Sequence, residues 1–127
     1  MALRMKLAPL FMVTLLAGCS SHYSAADLAG RYVLAIDGGT DTIELEANGK
    51  YLHSYAAKSG DVGRQEDTWN LEDLQAGATV VLNNFRSLSG EDARERGSYR
   101  LLVVKRLYGD LYLITNIDLN EGYKKQQ

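Results

Sequence analysis

The chain has 127 residues, with 14 Lys and Arg against 16 Asp and Glu and a formal net charge of −2. That length leaves room for one domain, and 24% charged with 46% hydrophobic residues is a globular composition, which argues against extended disorder, collagen and coiled coil. One Cys excludes an internal disulfide framework and a multi-Cys zinc site, and the slight acidity argues against a surface for nucleic-acid phosphates.

The chain opens with a short basic stretch carrying Arg4 and Lys6. Leu7 to Leu16 is then apolar apart from Pro9 and Thr14. This run is too short to span a bilayer, which takes about 20 residues, and fits the apolar region of a secretory signal. Directly after it stands Leu16-Ala17-Gly18-Cys19, which holds the chain's one Cys. The run resembles the lipobox of bacterial lipoproteins: Leu, two small residues, then Cys. Charge, apolar length and small residues agree on that reading over a plain secretory signal or an uncleaved anchor. The resemblance implies that the Cys19 thiol receives a diacylglycerol, that the chain is cut after Gly18 and that the new amine is acylated. One acyl chain holds a protein only marginally and two anchor it stably, so three exceed the requirement. Ser20 stands where, in the enterobacterial sorting rule, Asp retains a lipoprotein in the inner membrane. The resemblance therefore implies the outer membrane, facing the periplasm. The expected organisation is a cleaved signal over 1–18, a lipidated tether over 19–23 and a domain over 24–127. Four tether residues reach about 13 Å, so the domain sits close to the membrane. Loss of Arg4 and Lys6 leaves 12 basic against 16 acidic residues, a formal charge of −4.

Ser24-Ala25-Ala26-Asp27 has the spacing of a capping box and predicts one helical turn ending at Gly30. Beyond it the hydrophobic period becomes two. Tyr32, Leu34 and Ile36 mark a strand, Asp37 to Thr40 a turn, and Ile43 with Leu45 a second strand with an acidic outer face carrying Glu44 and Glu46. Asn48-Gly49 is a strong hairpin signal, followed by a return strand with Tyr51, His53 and Tyr55 on one face. A three-residue loop, Ala47-Asn48-Gly49, sets Leu45 opposite Tyr51 and Ile43 opposite His53, and pairs Glu46 with Lys50. A two-residue loop would set Glu44 opposite His53, so the first register is the one that keeps apolar side chains together. Lys58 to Arg64 reads as a turn, and Asp67, Trp69 and Leu71 mark the next strand. Further strands are expected over Thr79 to Phe85, Ser98 to Arg106 and Leu111 to Thr115, with a last short one within Ile117 to Lys125. The expectation is an all-β antiparallel meander of seven or eight strands, closing into a small barrel that removes its edges.

A helical turn leading into Gly30-Arg31-Tyr32 on the first strand of such a meander resembles the Gly-x-Trp entry of lipocalins and related calycins, in particular the compact lipocalin-like domains of bacterial lipoproteins. Tyr32 stands where Trp is usual. In that family a basic side chain from the end of the barrel packs across the Trp, a role open here to Lys124 or Lys125.

Catalytic and metal-binding patterns are weak. The domain has one His, His53, and no Gly-x-Ser-x-Gly elbow. The neighbouring carboxylates Glu66-Asp67 and Glu72-Asp73 point to opposite faces of a strand. Asp118-Leu119-Asn120-Glu121-Gly122 begins like a calcium loop, but its Gly is fifth rather than sixth and the closing Glu is missing. No metal, cofactor or nucleic-acid partner is expected. Tyr51, His53, Tyr55 and Trp69 would share the lumen. An eight-stranded barrel is just wide enough to be filled by side chains or to hold one small ligand, and filling is the favoured outcome. Ser87 to Gly97 is the longest polar connection, with Glu91 and Asp92 at the start and Arg94 and Arg96 at the end of a helical turn, beside the basic Arg100, Lys105 and Arg106. It is read as a solvated face or a partner-binding loop. The expected function is that of a non-enzymatic envelope lipoprotein that binds a protein, in one form an inhibitor or immunity protein against a periplasmic hydrolase. Small acylated bacterial barrels resemble lysozyme inhibitors, although those carry a Cys pair and a Tyr-x-Cys motif absent here. The alternative is a carrier of a small apolar ligand in the lumen.

Overall fold

The computed structural model describes residues 23–36, 38–88 and 98–127. The chain opens with a single helical turn, α1 (Ala25–Leu28). Ser24 Oγ accepts from Asp27 N at 3.1 Å and the Asp27 carboxylate accepts from Ser24 N at 2.8 Å, the reciprocal bonds of a capping box. These bonds hold the Asp27 carboxyl below the usual carboxylate range.

Eight strands follow: β1 (Gly30–Ile36), β2 (Gly39–Leu45), β3 (Lys50–Ala57), β4 (Val62–Leu74), β5 (Gly77–Phe85), β6 (Ser98–Leu107), β7 (Asp110–Asn116) and β8 (Glu121–Lys125). Each pairs antiparallel with the next and β8 returns to β1, so the meander is a closed, lipocalin-like barrel. Because the strands alternate in direction, α1 and the β2–β3, β4–β5 and β6–β7 turns share one end, the helix end. The other four connections share the far end.

The β2–β3 register is the one that buries the apolar face, with Ile43 opposite His53 and Leu45 opposite Tyr51. Glu46 N donates to Lys50 O at 2.9 Å, and Gly49 takes the left-handed conformation (φ +91°) that the three-residue loop requires. Two turn boundaries differ from the sequence reading. Gly39 and Thr40, expected in the first turn, belong to β2, where they pair with Ile36 and Ala35. The β3–β4 turn is confined to 58–61, and Val62, Gly63 and Arg64 belong to β4, where they pair with Ala56, Tyr55 and Ser54. β4 is 13 residues long because it serves two neighbours in succession: Val62 to Thr68 pair with β3, and Trp69 to Leu74 pair with β5.

The interior is divided along the barrel axis. The helix-end half is apolar, with Leu28, Tyr32, Leu45, Trp69, Leu102 and Leu113 among its buried members. Tyr32 stands where the calycin resemblance places an aromatic ring. Its hydroxyl donates to Leu28 O at 2.7 Å, and burial pushes its pKa up. Lys125, rather than Lys124, is the basic partner at this end. It lies opposite Tyr32, its stem lies over Gly30, and Nζ donates to Asp27 O at 3.1 Å. Lys124 turns outward, to Asp110 at 3.4 Å.

Candidate functional site

All four side chains assigned to the lumen are buried and face inward. Three of them, Tyr51, His53 and Tyr55, alternate along β3, and Trp69 comes from β4. Their polar atoms are tied to the wall. Tyr51 OH donates to Asn83 O at 2.6 Å, Trp69 Nε1 to Glu46 O at 2.9 Å, and Tyr55 OH lies 3.5 Å from Ile36 O. Burial, with the nearby Asp67 carboxylate, pushes the Tyr51 hydroxyl up. The rings act as packing that is also hydrogen-bonded, which suits aromatic side chains with a polar handle.

The far-end half of the interior is polar, and His53 is its centre. Its Nε2 lies 2.7 Å from Asp41 Oδ1, with both residues buried. The second Asp41 oxygen accepts from the Tyr123 hydroxyl, which reaches it from β8. Burial, followed by the Asp41 charge and hydrogen bond, pushes the Tyr123 pKa well up, so this hydroxyl stays a donor. Asp41 thus holds the Nε2 edge of the His53 ring, and the other ring nitrogen, Nδ1, points away from it. Nδ1 is the one buried side-chain polar atom among the described residues that lacks a hydrogen-bond partner. Phe85 stacks on the His53 ring at 4.3 Å between centroids and 23° between planes, and the Arg100 guanidinium stands 5.9 Å from the Phe85 centroid. Gln65, opposite His53 on β4, accepts from Arg86 N at 3.0 Å and donates to Asn84 O.

Tyr123, Asp41, His53, Phe85 and Arg100 thus form a girdle across the interior, from β8 by way of β2, β3 and β5 to β6. Chemically it is an oriented imidazole. With Nε2 on Asp41 and Nδ1 unpartnered, no hydroxyl among the described residues is aligned for His53 to activate. Among the described residues no three His, Cys, Asp or Glu side chains are grouped to hold a metal ion.

The sequence reading found His53 but missed Asp41, Tyr123, Phe85 and Gln65 as its companions. A signal for Asp41 was present, because it has the parity of Ile43 and Leu45 on β2 and so faces the same way. Tyr123 had no local signal, since its partner is 82 residues away.

The far rim is apolar in part. Val62, Ile117 and Leu119 are exposed at 61%, 54% and 64%, and the Leu88 side chain rests against Gly63. Glu91, Asp92, Arg94 and Arg96 lie outside the described residues, as do Cys19 and Ser20. Of the three strand cations assigned to the side of that loop, Arg100 stands at the far end and the Lys105 side chain reaches the far-end β7–β8 turn. Lys105 donates to Asn120 Oδ1 at 2.9 Å. Arg106 is at the helix end, bonded to Gly109 O at 3.1 Å, because β6 runs away from the loop over ten residues.

No protein-family model, curated protein or solved structure matches the chain.

Proposed function

We propose that the protein is an envelope lipoprotein anchored through Cys19, and that its barrel is a protein-binding module that works through the far rim. The partner class is a periplasmic hydrolase, which the protein would inhibit or give immunity from. One observation carries the reading. The interior is occupied by the protein's own rings, while apolar side chains are exposed on two far-end connections, Val62 beside the β3–β4 turn and Ile117 with Leu119 in the β7–β8 turn. Ile117 and Leu119, exposed within one turn, offer apolar surface that a contact would bury. The unpartnered Nδ1 of His53 supports the second reading, a carrier, because a small ligand with a polar group could satisfy it.

The test has two arms in the full chain. Cys19→Ala should abolish fatty-acid labelling and leave an unprocessed precursor, and Ser20→Asp should move the native lipoprotein to the inner membrane of an enterobacterial host. A photo-crosslinking residue at Leu119 should capture a wall hydrolase in the envelope, and reversing Arg94 and Arg96 to Glu should reduce that capture. Labelling that survives Cys19→Ala removes the anchor. A Leu119 probe that captures no hydrolase removes the binding reading.

A further inference from the structure

The wall of the barrel is not sealed equally along its length. β1 and β8 are joined by two ladder pairs, Tyr32 with Lys125 and Val33 with Lys124, and by Gln126 N, which donates to Arg31 O at 2.7 Å. The alternation of an antiparallel ladder turns the backbone N–H and C=O of Arg31, Val33 and Ala35 toward β8, and those of Tyr32, Leu34 and Ile36 toward β2. On β8 the matching residues are Gln126, Lys124 and Gly122. Ala35 and Gly122 are thus next in line, but the ladder stops before them. The cause lies with the other neighbour of β8. The β7–β8 register shifts between Ile114 and Asn116, so the first residues of β8 follow β7 and leave β1. At this level a side chain closes the wall: the Tyr123 hydroxyl passes behind β1 to Asp41 on β2. Where the ladder is missing lies a slot of about 530 Å³, lined by Leu34, Ala35 and Ile36 of β1, Tyr112 of β7, and Glu121 and Gly122 of β8. Leu34 and Ile36 have the inward parity of Tyr32, yet they are only half-buried, whereas Tyr32 is fully buried.

We infer that this slot is a docking site for an extended peptide segment of another protein, which lays its backbone along β1. The N–H and C=O groups of Ala35 and Gly122 face the slot, and the ligand that offers donors and acceptors in that alternation is another extended backbone. An unpaired strand edge is a template for such pairing. Both banks are bare. Ala35 has a small side chain and Gly122 has none, and a Cβ at Gly122 would collide with the Leu113 carbonyl. The half-buried Leu34 and Ile36 offer apolar contacts to alternate side chains of the segment. Because β8 forms the opposite bank, a thin segment reaches the β1 edge and the wall of a second barrel does not. The inference goes beyond the binding reading above, since it holds for any protein that presents such a segment. The slot adjoins the β7–β8 turn that exposes Ile117 and Leu119.

The test begins with amide hydrogen exchange of the full chain. The Ala35 amide should exchange many-fold faster than those of Tyr32 and Leu34, which face β2. Equal protection of the three would mean a sealed seam and overturn the inference. The probe for the occupant is a library of short linear peptides displayed on phage. Selected peptides should slow exchange at Ala35 and Gly122, and N-methylation of a central peptide amide, which leaves every side chain in place, should weaken binding about tenfold. Ala35→Pro removes the N–H that faces the slot and no bond to β2, so it should weaken binding likewise at near-native thermal stability, whereas Ala35→Ser should not. If Ala35→Pro fails to fold, the N-methylated peptides decide. A library that yields no peptide protecting these two amides, or peptides indifferent to N-methylation, overturns the inference. Self-association in sedimentation that Ala35→Pro abolishes would give the edge to a second copy and overturn it too. A Leu119 probe that captures no hydrolase leaves it standing.

Discussion

Asp41 is a buried carboxylate held by His53 from the adjacent strand of its own hairpin and by the Tyr123 hydroxyl from the last strand, 82 residues away. Removing a donor from a charged acceptor costs about 1.5–3 kcal/mol, so Tyr123→Phe should destabilise the domain by that order at neutral pH. The same hydroxyl fixes a pH dependence. Burial and Asp41 raise the pKa of Tyr123 in the folded protein, and burial raises those of Tyr32 and Tyr51. In the unfolded chain tyrosines lose their protons near pH 10 (about 10). A raised folded pKa gives stability that is complete below that value and is lost as pH rises above it. Urea unfolding at mildly and strongly alkaline pH should therefore show a larger loss for the native protein than for Tyr123→Phe. Equal losses in the two proteins would mean that Tyr123 ionises without cost and that the Asp41 contact is not as described.

At the scale of elements, much of the barrel was legible because each signal was local. The Ser24–Asp27 spacing gives both halves of the capping box, and the parity of Ile43, Leu45, Tyr51 and His53 selects one register of the β2–β3 hairpin. The start of β4 was not legible. Gly60 and Gly63 together read as one long turn, and only pairing with β3 makes Val62 to Arg64 extended. The basic end of β6 was misplaced for a related reason, since composition does not say to which end of the barrel a ten-residue strand carries Arg106. The polar girdle was half legible: parity could have placed Asp41 inside, but nothing near Tyr123 in sequence announces its partner. Two glycines separate local from tertiary constraint. Gly49 is at φ +91° with its nearest neighbour, Trp69 O, 3.7 Å from an added Cβ, so Gly49→Ala meets only the left-handed backbone penalty of about 1–2 kcal/mol. Gly122 has no such conformation, but a Cβ there would collide with the Leu113 carbonyl across the β7–β8 ladder. Thermal unfolding should rank Gly122→Ala as the more damaging substitution. The reverse order would indicate that β8 can move away from β7 at little cost.

At the scale of the molecule, the question is whether the interior is a core or a vessel. Trp69 is 5% exposed and joins the apolar half to the β2–β3 turn through its indole nitrogen. As a core residue, Trp69→Ala should cost about 3–5 kcal/mol, typical of a buried aromatic and a large share of a small domain's stability. Native Trp69 fluorescence should show no saturable change with fatty acids or similar apolar ligands. A Trp69→Ala protein of near-native stability, with saturable quenching in the native form, would make the carrier reading the leading one.

The barrel is closed by its shortest ladder. β1 meets β2 over seven residue pairs but meets β8 over two, Tyr32 with Lys125 and Val33 with Lys124. The two side-chain bonds that reinforce the closure, Tyr123 to Asp41 and Lys125 to Asp27, join residues 82 and 98 apart in the chain. A chain that emerges amino end first therefore carries β1 with a bare edge until its last strand follows. Until then Asp41 lacks the Tyr123 hydroxyl and Tyr32 its ladder partner, Lys125. Closure comes last and bears the greatest loop entropy, so the interval before it is when the nascent chain is most open to proteases, to chaperones and to pairing with the free edge of another copy.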